Sequence, residues 1–309
     1  MNILITGGAG FIGTSLTPLL LKRNYDVTLI DNLMFGGVPI LPFFRYPNFS
    51  FIKGDVRDKD LMREVVKNKD IIIHLAAIVG YPACKSEPDL AVGVNIKAAE
   101  LLSSLVSKNQ LILYGSTGSN YGAVADQLCT EKTPLNPLSL YGETKTAAEN
   151  YLMENNSTIA YRFATGFGVS PRLRLDLLVN DFTYKSVTEG YVVVYESHHM
   201  RTFIHVHDIA RSWLFAIDNA DKMRGEIYNV GSDSMNYTKK EMCTLIADKT
   251  GSYFYYAEIG EDTDKRDYLV SYQKIGNEGF ETSITLEVGI DELVKASSAA
   301  ILRTPFSNI

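Results

Sequence analysis

Met1-Asn2-Ile3-Leu4-Ile5-Thr6-Gly7-Gly8-Ala9-Gly10-Phe11-Ile12-Gly13 opens the chain with a short apolar strand that runs straight into a glycine loop. An apolar, helix-compatible run continues to Lys22. Glycines at 7, 10 and 13 give the spacing GxxGxxG. Between a strand and a helix, one glycine permits the tight turn and a second lets main-chain amides approach a diphosphate. A third lets the helix pack closely on the strand. The first-turn amides and the helix dipole then hold the anion. A second strand, Asp26-Val27-Thr28-Leu29-Ile30, ends on Asp31. A carboxylate there accepts hydrogen bonds from an adenosine ribose and repels a 2′-phosphate. No arginine follows until Arg45, so the expected cofactor is NAD rather than NADP.

Outward from this stretch, strand-like and helix-like segments alternate. Phe49 to Lys53 reads as a strand and Asp60 to Lys67 as a helix. Asp70 to Leu75 is a continuous apolar run, the pattern of a central strand buried on both faces. A long helix is expected from about Asp89 to Ser107, a strand at Leu111 to Tyr114, a helix from Tyr141 to Glu154 and a strand at Ile159 to Phe163. Such alternation implies an α/β fold with a doubly wound, Rossmann-type parallel sheet. After Gly166 the rhythm loosens into arginines, loops and shorter elements. The expected organisation is an NAD-binding domain over 1–166. The rest, 167–309, reads as a smaller C-terminal α/β portion that binds substrate, partly interleaved with the first. Phe203 to Val206 is strand-like and Ile209 to Ile217 helical.

At 309 residues the chain is long enough for a large core. Its 46% hydrophobic and 21% charged residues are ordinary for a soluble globular protein. A net charge of −6 argues against nucleic acid as a partner. Substrate phosphates then have to be met by local arginines. Cys84, Cys129 and Cys243 lie far apart with no metal-ligand spacing and read as buried apolar residues. The N-terminus turns directly into a strand, unlike a signal peptide, and no apolar stretch reaches membrane-spanning length. A cytoplasmic location is expected.

Tyr141 and Lys145 stand four apart, one turn apart on one helix face. A tyrosine at its ordinary pKa is a poor base at neutral pH. A neighbouring ammonium and a positive nicotinamide ring both favour the phenolate. Tyr141 can then take the proton of a substrate hydroxyl while hydride leaves the same carbon. Thr117, just beyond the strand at 111–114, is placed to orient that alcohol. Taken alone, the pair would be a packing ring and a solvated lysine; the glycine loop gives it a chemical meaning.

These segments together resemble the extended short-chain dehydrogenase/reductase family, the sugar-nucleotide epimerases and dehydratases, over almost the whole length. The likeness rests on TGGAGFIG at 6–13, Asp31-Asn32, Gly54 to Asp58, His74 to Ala77, Asn95, Thr117 before Tyr121-Gly122, and Tyr141 to Lys145. It continues through Arg162-Phe163, Arg201 to Asp208 and Lys265 to Asp267. The resemblance implies cofactor contacts from Gly7, Gly10, Phe11, Ile12, Gly13, Asp31, Asn32, Asp55, Val56, Leu75, Ala76, Ala77, Asn95, Tyr141, Lys145 and Phe163. Asp55 and Val56 would sit near the adenine, and Asn95 would help orient the lysine. Substrate contacts are implied from Thr117, Thr165, Arg174, Asn180, Arg201 and Arg266. The last arginine and Arg201 match positions that hold a nucleotide diphosphate. Arg172 and Arg174 have a solvated surface role as their alternative. A homodimer is implied, through the helices at about 89–107 and 141–154.

Family members that dehydrate across C5 and C6 carry an Asp-Glu pair directly after the threonine; here those positions are Gly118 and Ser119. Neither supplies the acid or base that the elimination needs, which weighs against a 4,6-dehydratase. A narrower likeness, in Asp31 to Met34, Val79 to Cys84, Arg172 to Asp181 and Lys265 to Tyr268, is to a branch that oxidises C4 of GDP-heptose for surface polysaccharides. The leading expectation is therefore NAD-dependent oxidation at C4 of a nucleotide-diphosphate sugar, with epimerase and net dehydrogenase both open. A sugar-nucleotide 4,6-dehydratase, a 4-keto reductase and a non-enzymatic NAD-binding sensor or scaffold are the alternatives. His205 and His207 alternate on a strand without a third ligand nearby, so no metal is expected. The apolar run Leu33 to Phe44 reads either as a lid or partner surface, or as an insertion packed over the sheet.

Overall fold

Ile3, Leu4 and Ile5 have no exposed surface, and a strand buried on both faces belongs in the middle of a parallel sheet. That strand is β1 (Asn2–Thr6). In chain order the others are β2 (Asp26–Asp31), β3 (Phe49–Lys53), β4 (Ile71–His74), β5 (Leu111–Thr117), β6 (Ala123–Cys129), β7 (Thr158–Phe163), β8 (Thr165–Phe167), β9 (Tyr191–Tyr195), β10 (Met200–His205), β11 (Ile227–Val230), β12 (Asn236–Thr238), β13 (Tyr253–Ala257) and β14 (Asp267–Val270). The computed structural model describes residues 1–155, 157–260 and 266–299.

Seven strands form one sheet in the order β11-β7-β5-β4-β1-β2-β3. Every pairing in it is parallel. This is the doubly wound arrangement, and its order reverses between β1 and β4, where such folds bind ligands. Apolar clusters cover both faces. On one face Trp213 stacks on Tyr161 at 4.9 Å between ring centroids. A third cluster unites Phe167, Phe203, Met242 and Leu286 in the second half. There β8, β10 and β12 make a small sheet, while β9 pairs with β13 and β6 with β14. All three cysteines are free and buried.

Two elements differ from the sequence reading. β5 runs on to Thr117, which brings that residue to the strand's C-terminal end. The long helix expected over 89–107 runs without interruption from Pro88 to Leu105, but holds a π-helical turn, Val92–Lys97, between Pro88–Ala91 and Ala98–Leu105. Such turns recur at functional sites. Here the turn carries the buried Asn95, whose amide bonds Ile78 and Thr144. The apolar run after Leu33 packs partly over the sheet: it holds a 3₁₀ helix, Val38–Arg45, with Ile40 and Phe43 buried and Val38, Leu41 and Phe44 exposed.

Candidate active site

A cavity of about 500 Å³ lies along the C-terminal ends of the central strands, within the range of small-molecule sites, roughly 300–1,000 Å³. The glycine loop forms its floor. Gly7 has φ +68°, and a Cβ there would stand 2.7 Å from Ala76 Cα. A Cβ at Gly13 would meet Gly8 Cα at 2.7 Å, so the helix Phe11–Lys22 could not pack as closely. Gly10 caps that helix without a side-chain acceptor, so no side chain competes with an anion for its first-turn amides.

Asp31 ends β2 on the cavity wall. Its carboxylate accepts from Ala9 N at 3.0 Å and Leu33 N at 2.8 Å, which fixes it in place. Burial nonetheless raises its pKa, against those two bonds and the nearby Arg172. Asp55 pairs with Arg57 at 2.7 Å, and that partner holds its carboxyl below the ordinary range. Glycine floor, strand-end carboxylate and helix N-terminus fit an adenine dinucleotide.

At the other end stand the three expected catalytic side chains. The helix Leu140–Met153 starts at Ser139, whose Oγ accepts from Gly142 N at 3.2 Å. It carries Tyr141, half-buried, and Lys145, 4% exposed, and both line the cavity with Thr117. Burial pushes the Lys145 ammonium down to about 7, against the pull of Glu149. Its Nζ lies 4.2 Å from the centre of the Tyr114 ring. Burial also raises Tyr141, opposed first by Arg174, then by a hydrogen bond with Thr117 and by Arg266. The lowering of Tyr141 expected from Lys145 is therefore absent in the protein alone. Burial outweighs the surrounding charges, and the cations acting on the phenol are arginines.

Thr117 Oγ1 donates to Ser119 Oγ at 3.0 Å, and Arg266 Nη1 donates to the same oxygen at 2.7 Å. Thr117, Ser119 and Arg266 thus form one hydrogen-bonded chain, and Tyr141 lines the same cavity next to Thr117. Arg201 donates to the main-chain oxygen of Arg266. Beside them, a Cβ at Gly118 would stand 3.3 Å from both Tyr268 Oη and Phe163 O.

Each sequence-derived residue can now be located. Gly7, Gly10, Phe11, Ile12, Gly13, Asp31, Asn32, Asp55, Val56, Leu75, Ala76, Ala77 and Phe163 line the cavity, as do Thr165, Arg174, Arg201 and Arg266. Two residues are not in that lining. Asn95 is 2% exposed, with its amide spent on Ile78 and Thr144, so it braces the helix behind Lys145. Asn180 is fully buried: it accepts from Gly168 N and donates to Gly168 O and Arg174 O. It holds the loop that bears Arg174. Lys265 lies outside the described residues. His205 faces Glu292 at 2.7 Å and caps the helix Val206–Asp218.

Arg172, for which the sequence leaves a diphosphate contact and a solvated surface role both open, is 2% exposed. Glu149 was not singled out at all. It forms a buried ion pair with Arg162 at 2.6 Å and accepts from Ser116 Oγ at 2.6 Å. Its spacing, four after Lys145 on the face of Tyr141, was the available signal. Removing one partner of such a pair costs about 3–5 kcal/mol.

The model of the NAD dependent epimerase/dehydratase family matches residues 3–231. The chain is 27% identical over 307 residues to the low-salt glycan biosynthesis protein Agl12 of Haloferax volcanii, covering 95% of this chain and 97% of that protein. It is 26% identical to a dTDP-glucose 4,6-dehydratase of Streptomyces niveus, covering 96% and 92%. Among solved structures, a UDP-glucose 4-epimerase of Thermotoga maritima with UDP-glucose superposes with a TM-score of 0.83. It is 26% identical and covers 96% of this chain and 98% of that one.

Proposed function

This chain belongs to the NAD dependent epimerase/dehydratase family, and from that premise we propose that it oxidises C4 of a nucleotide-diphosphate sugar. The observation that carries this reading is the hydrogen-bonded chain from Thr117 through Ser119 to Arg266, with Tyr141 beside Thr117 in the same cavity. It joins a proton acceptor to a cation suited to a diphosphate. Bound NAD supplies the acceptor for the hydride that leaves C4. Tyr141 Oη takes the proton of the C4 hydroxyl, so the alcohol becomes a ketone. Thr117 Oγ1 orients that hydroxyl. Lys145, one turn along the same helix and brought near neutrality by burial, stands beside the phenol. Arg201 and Arg266 meet the diphosphate, and Arg174, near Tyr141, opposes the rise that burial gives the phenol.

Return of hydride to the other face of the ketone gives a 4-epimer; release of the keto sugar gives a net dehydrogenase. A dehydratase is the second reading, favoured by relatives that carry that name. It needs an acid and a base beyond the threonine. Gly118 lies under Tyr268, and Ser119 is engaged by an arginine, which supports oxidation at C4 without elimination. Within the class we put GDP-heptose first, on the sequence likeness of the segments at 31–34, 79–84 and 172–181. The assembly proposed is a cytoplasmic homodimer; among the described residues no helix is long and apolar enough to cross a membrane.

The test incubates purified protein with GDP-, UDP- and dTDP-sugars, GDP-heptose included, and identifies products by mass and NMR. An unchanged mass with inverted C4, or loss of two hydrogens, is expected. Loss of water as the main outcome overturns the reading. Light scattering checks the dimer.

A further inference from the structure

We propose that Arg172 and Phe35 form a clasp across the adenosine-diphosphate half of bound NAD, so that both parts of the chain hold the cofactor and it leaves slowly. The proposal rests on the family's NAD dependence and not on the reaction at C4.

Arg172 follows β8, in the part of the chain expected to bind substrate. Its segment is nevertheless seated on the glycine-loop helix. Ser170 Oγ donates to Phe11 O at 2.7 Å and lies 3.0 Å from Thr14 Oγ1. Arg172 N donates to Thr14 Oγ1 at 3.4 Å. This fixes the arginine at the helix end that receives an anion. Its guanidinium then lies 4.6 Å from the centre of the Phe35 ring.

Phe35 comes from the opposite wall. It lies four residues beyond Asp31, in the loop where Leu33 takes φ +60°. A left-handed leucine is strained, and such strain collects at ligand clamps. The turn brings Phe35, 42% exposed, to line the cavity with Met34 and Arg172. An exposed ring under a nearly buried cation gains from the contact.

Charge assigns the occupant. Arg172 is 2% exposed and 9%-exposed Arg174 is its like-charged neighbour. Burial and that neighbour both disfavour its charge, against the pull of Asp176 and Asp31. A dianionic group at the helix end, clear of Asp31, adds a stronger counter-charge to those carboxylates. The cofactor's diphosphate fits this position better than the substrate's, because the Arg266–Ser119 contact lies at the Tyr141 end.

The test uses the full-length protein without any sugar nucleotide. NADH is bound, then chased with excess NAD, and release is followed by NADH fluorescence; bound nucleotide in the isolated protein is measured in parallel. Arg172→Gln should release NADH about tenfold faster or more, the loss of one charge-assisted contact. Phe35→Leu should release it about two- to fivefold faster. The double variant should fall short of the product of the two, since the groups act together. Phe35→Leu alters only an exposed side chain and carries the test if Arg172→Gln does not fold. Release by Phe35→Leu or Arg172→Gln at the parent rate overturns the clasp, as does an effect of Arg172→Gln confined to the sugar-nucleotide KM. A parent protein that binds no NADH also overturns it. Failure of the sugar panel leaves these rates unaffected, so the two readings fail separately.

Discussion

Arg266 reaches the oxygen of Ser119 at 2.7 Å, although 146 residues separate them in the chain. The contact ties the substrate-facing arginine to the hydroxyl that also receives the proton of Thr117. A position where an elimination enzyme would need a carboxylate is therefore used as an anchor for a cation. Ser119→Ala should loosen Arg266 and raise the sugar-nucleotide KM, by about three- to tenfold for one hydrogen bond, with a smaller change in kcat. Steady-state kinetics on the identified substrate would show this; a fall in kcat at constant KM would mean that Ser119 serves the chemistry directly.

Tyr141→Phe keeps the ring and its packing but removes the proton acceptor. Its kcat should fall by about 10²–10⁴, with NAD content unchanged. Thr117→Val should be milder, near the cost of one hydrogen bond, about 1 kcal/mol. A Tyr141→Phe enzyme with parental kcat would place the base elsewhere.

The Lys145 ammonium is pushed down to about 7 by burial, which sets the protein's stability against pH. Below about 7 both the folded and unfolded lysine hold the proton, and the folded state bears the full burial penalty. Between there and the ordinary 10.5 the unfolded chain binds more protons, so cofactor-free protein should gain stability as pH rises. Lys145→Met should be inactive yet melt about 5 °C higher or more near neutral pH, with the gain shrinking toward about pH 10. Melting curves at three pH values test it; a less stable variant at neutral pH refutes the burial penalty.

His74 is 1% exposed, lies 2.7 Å from Thr6 Oγ1 through Nδ1, and is pushed down to about 3 by burial and then by Lys145. An unfolded histidine binds its proton at about 6.5. As pH falls from there toward about 3, the unfolded state therefore gains protons that the folded state refuses, and stability drops. His74→Gln should remove part of that acid sensitivity. Urea midpoints at about pH 7 and about pH 4.5 should differ less in the variant than in the parent; an equal difference would mean that other groups set the acid limb.

Much of the architecture was readable because it follows from local pattern. Glycines 7, 10 and 13 sit after an apolar strand and before a helix, and Ile71 to Ile73 can only be a buried central strand. Tyr141 and Lys145 were readable for the same reason, being one helical turn apart. What was not readable depends on partners distant in sequence. Asn95 and Asn180 carry amides of the right kind for ligand contact, yet main-chain groups of Ile78, Gly168 and Arg174 occupy them. Whether Arg172 is solvated or turned to the cavity is open until folding sets it on Phe35. The π-helical turn inside the helix over 89–107 was equally hidden, since such a turn has no sequence period of its own.

The outermost strand of the main sheet, β11, has a consequence for synthesis. It pairs with β7 from Ala160 with Ile227 to Phe163 with Val230. Until a ribosome has released Val230, β7 presents an open row of amides and carbonyls, beside apolar residues destined for burial. Such an edge is a template for pairing with another chain, and closure must await a contact spanning more than sixty residues. A nascent or truncated chain ending near Gly166 would expose this edge, and a short peptide matching Ile227–Val230 is the complement that would cap it.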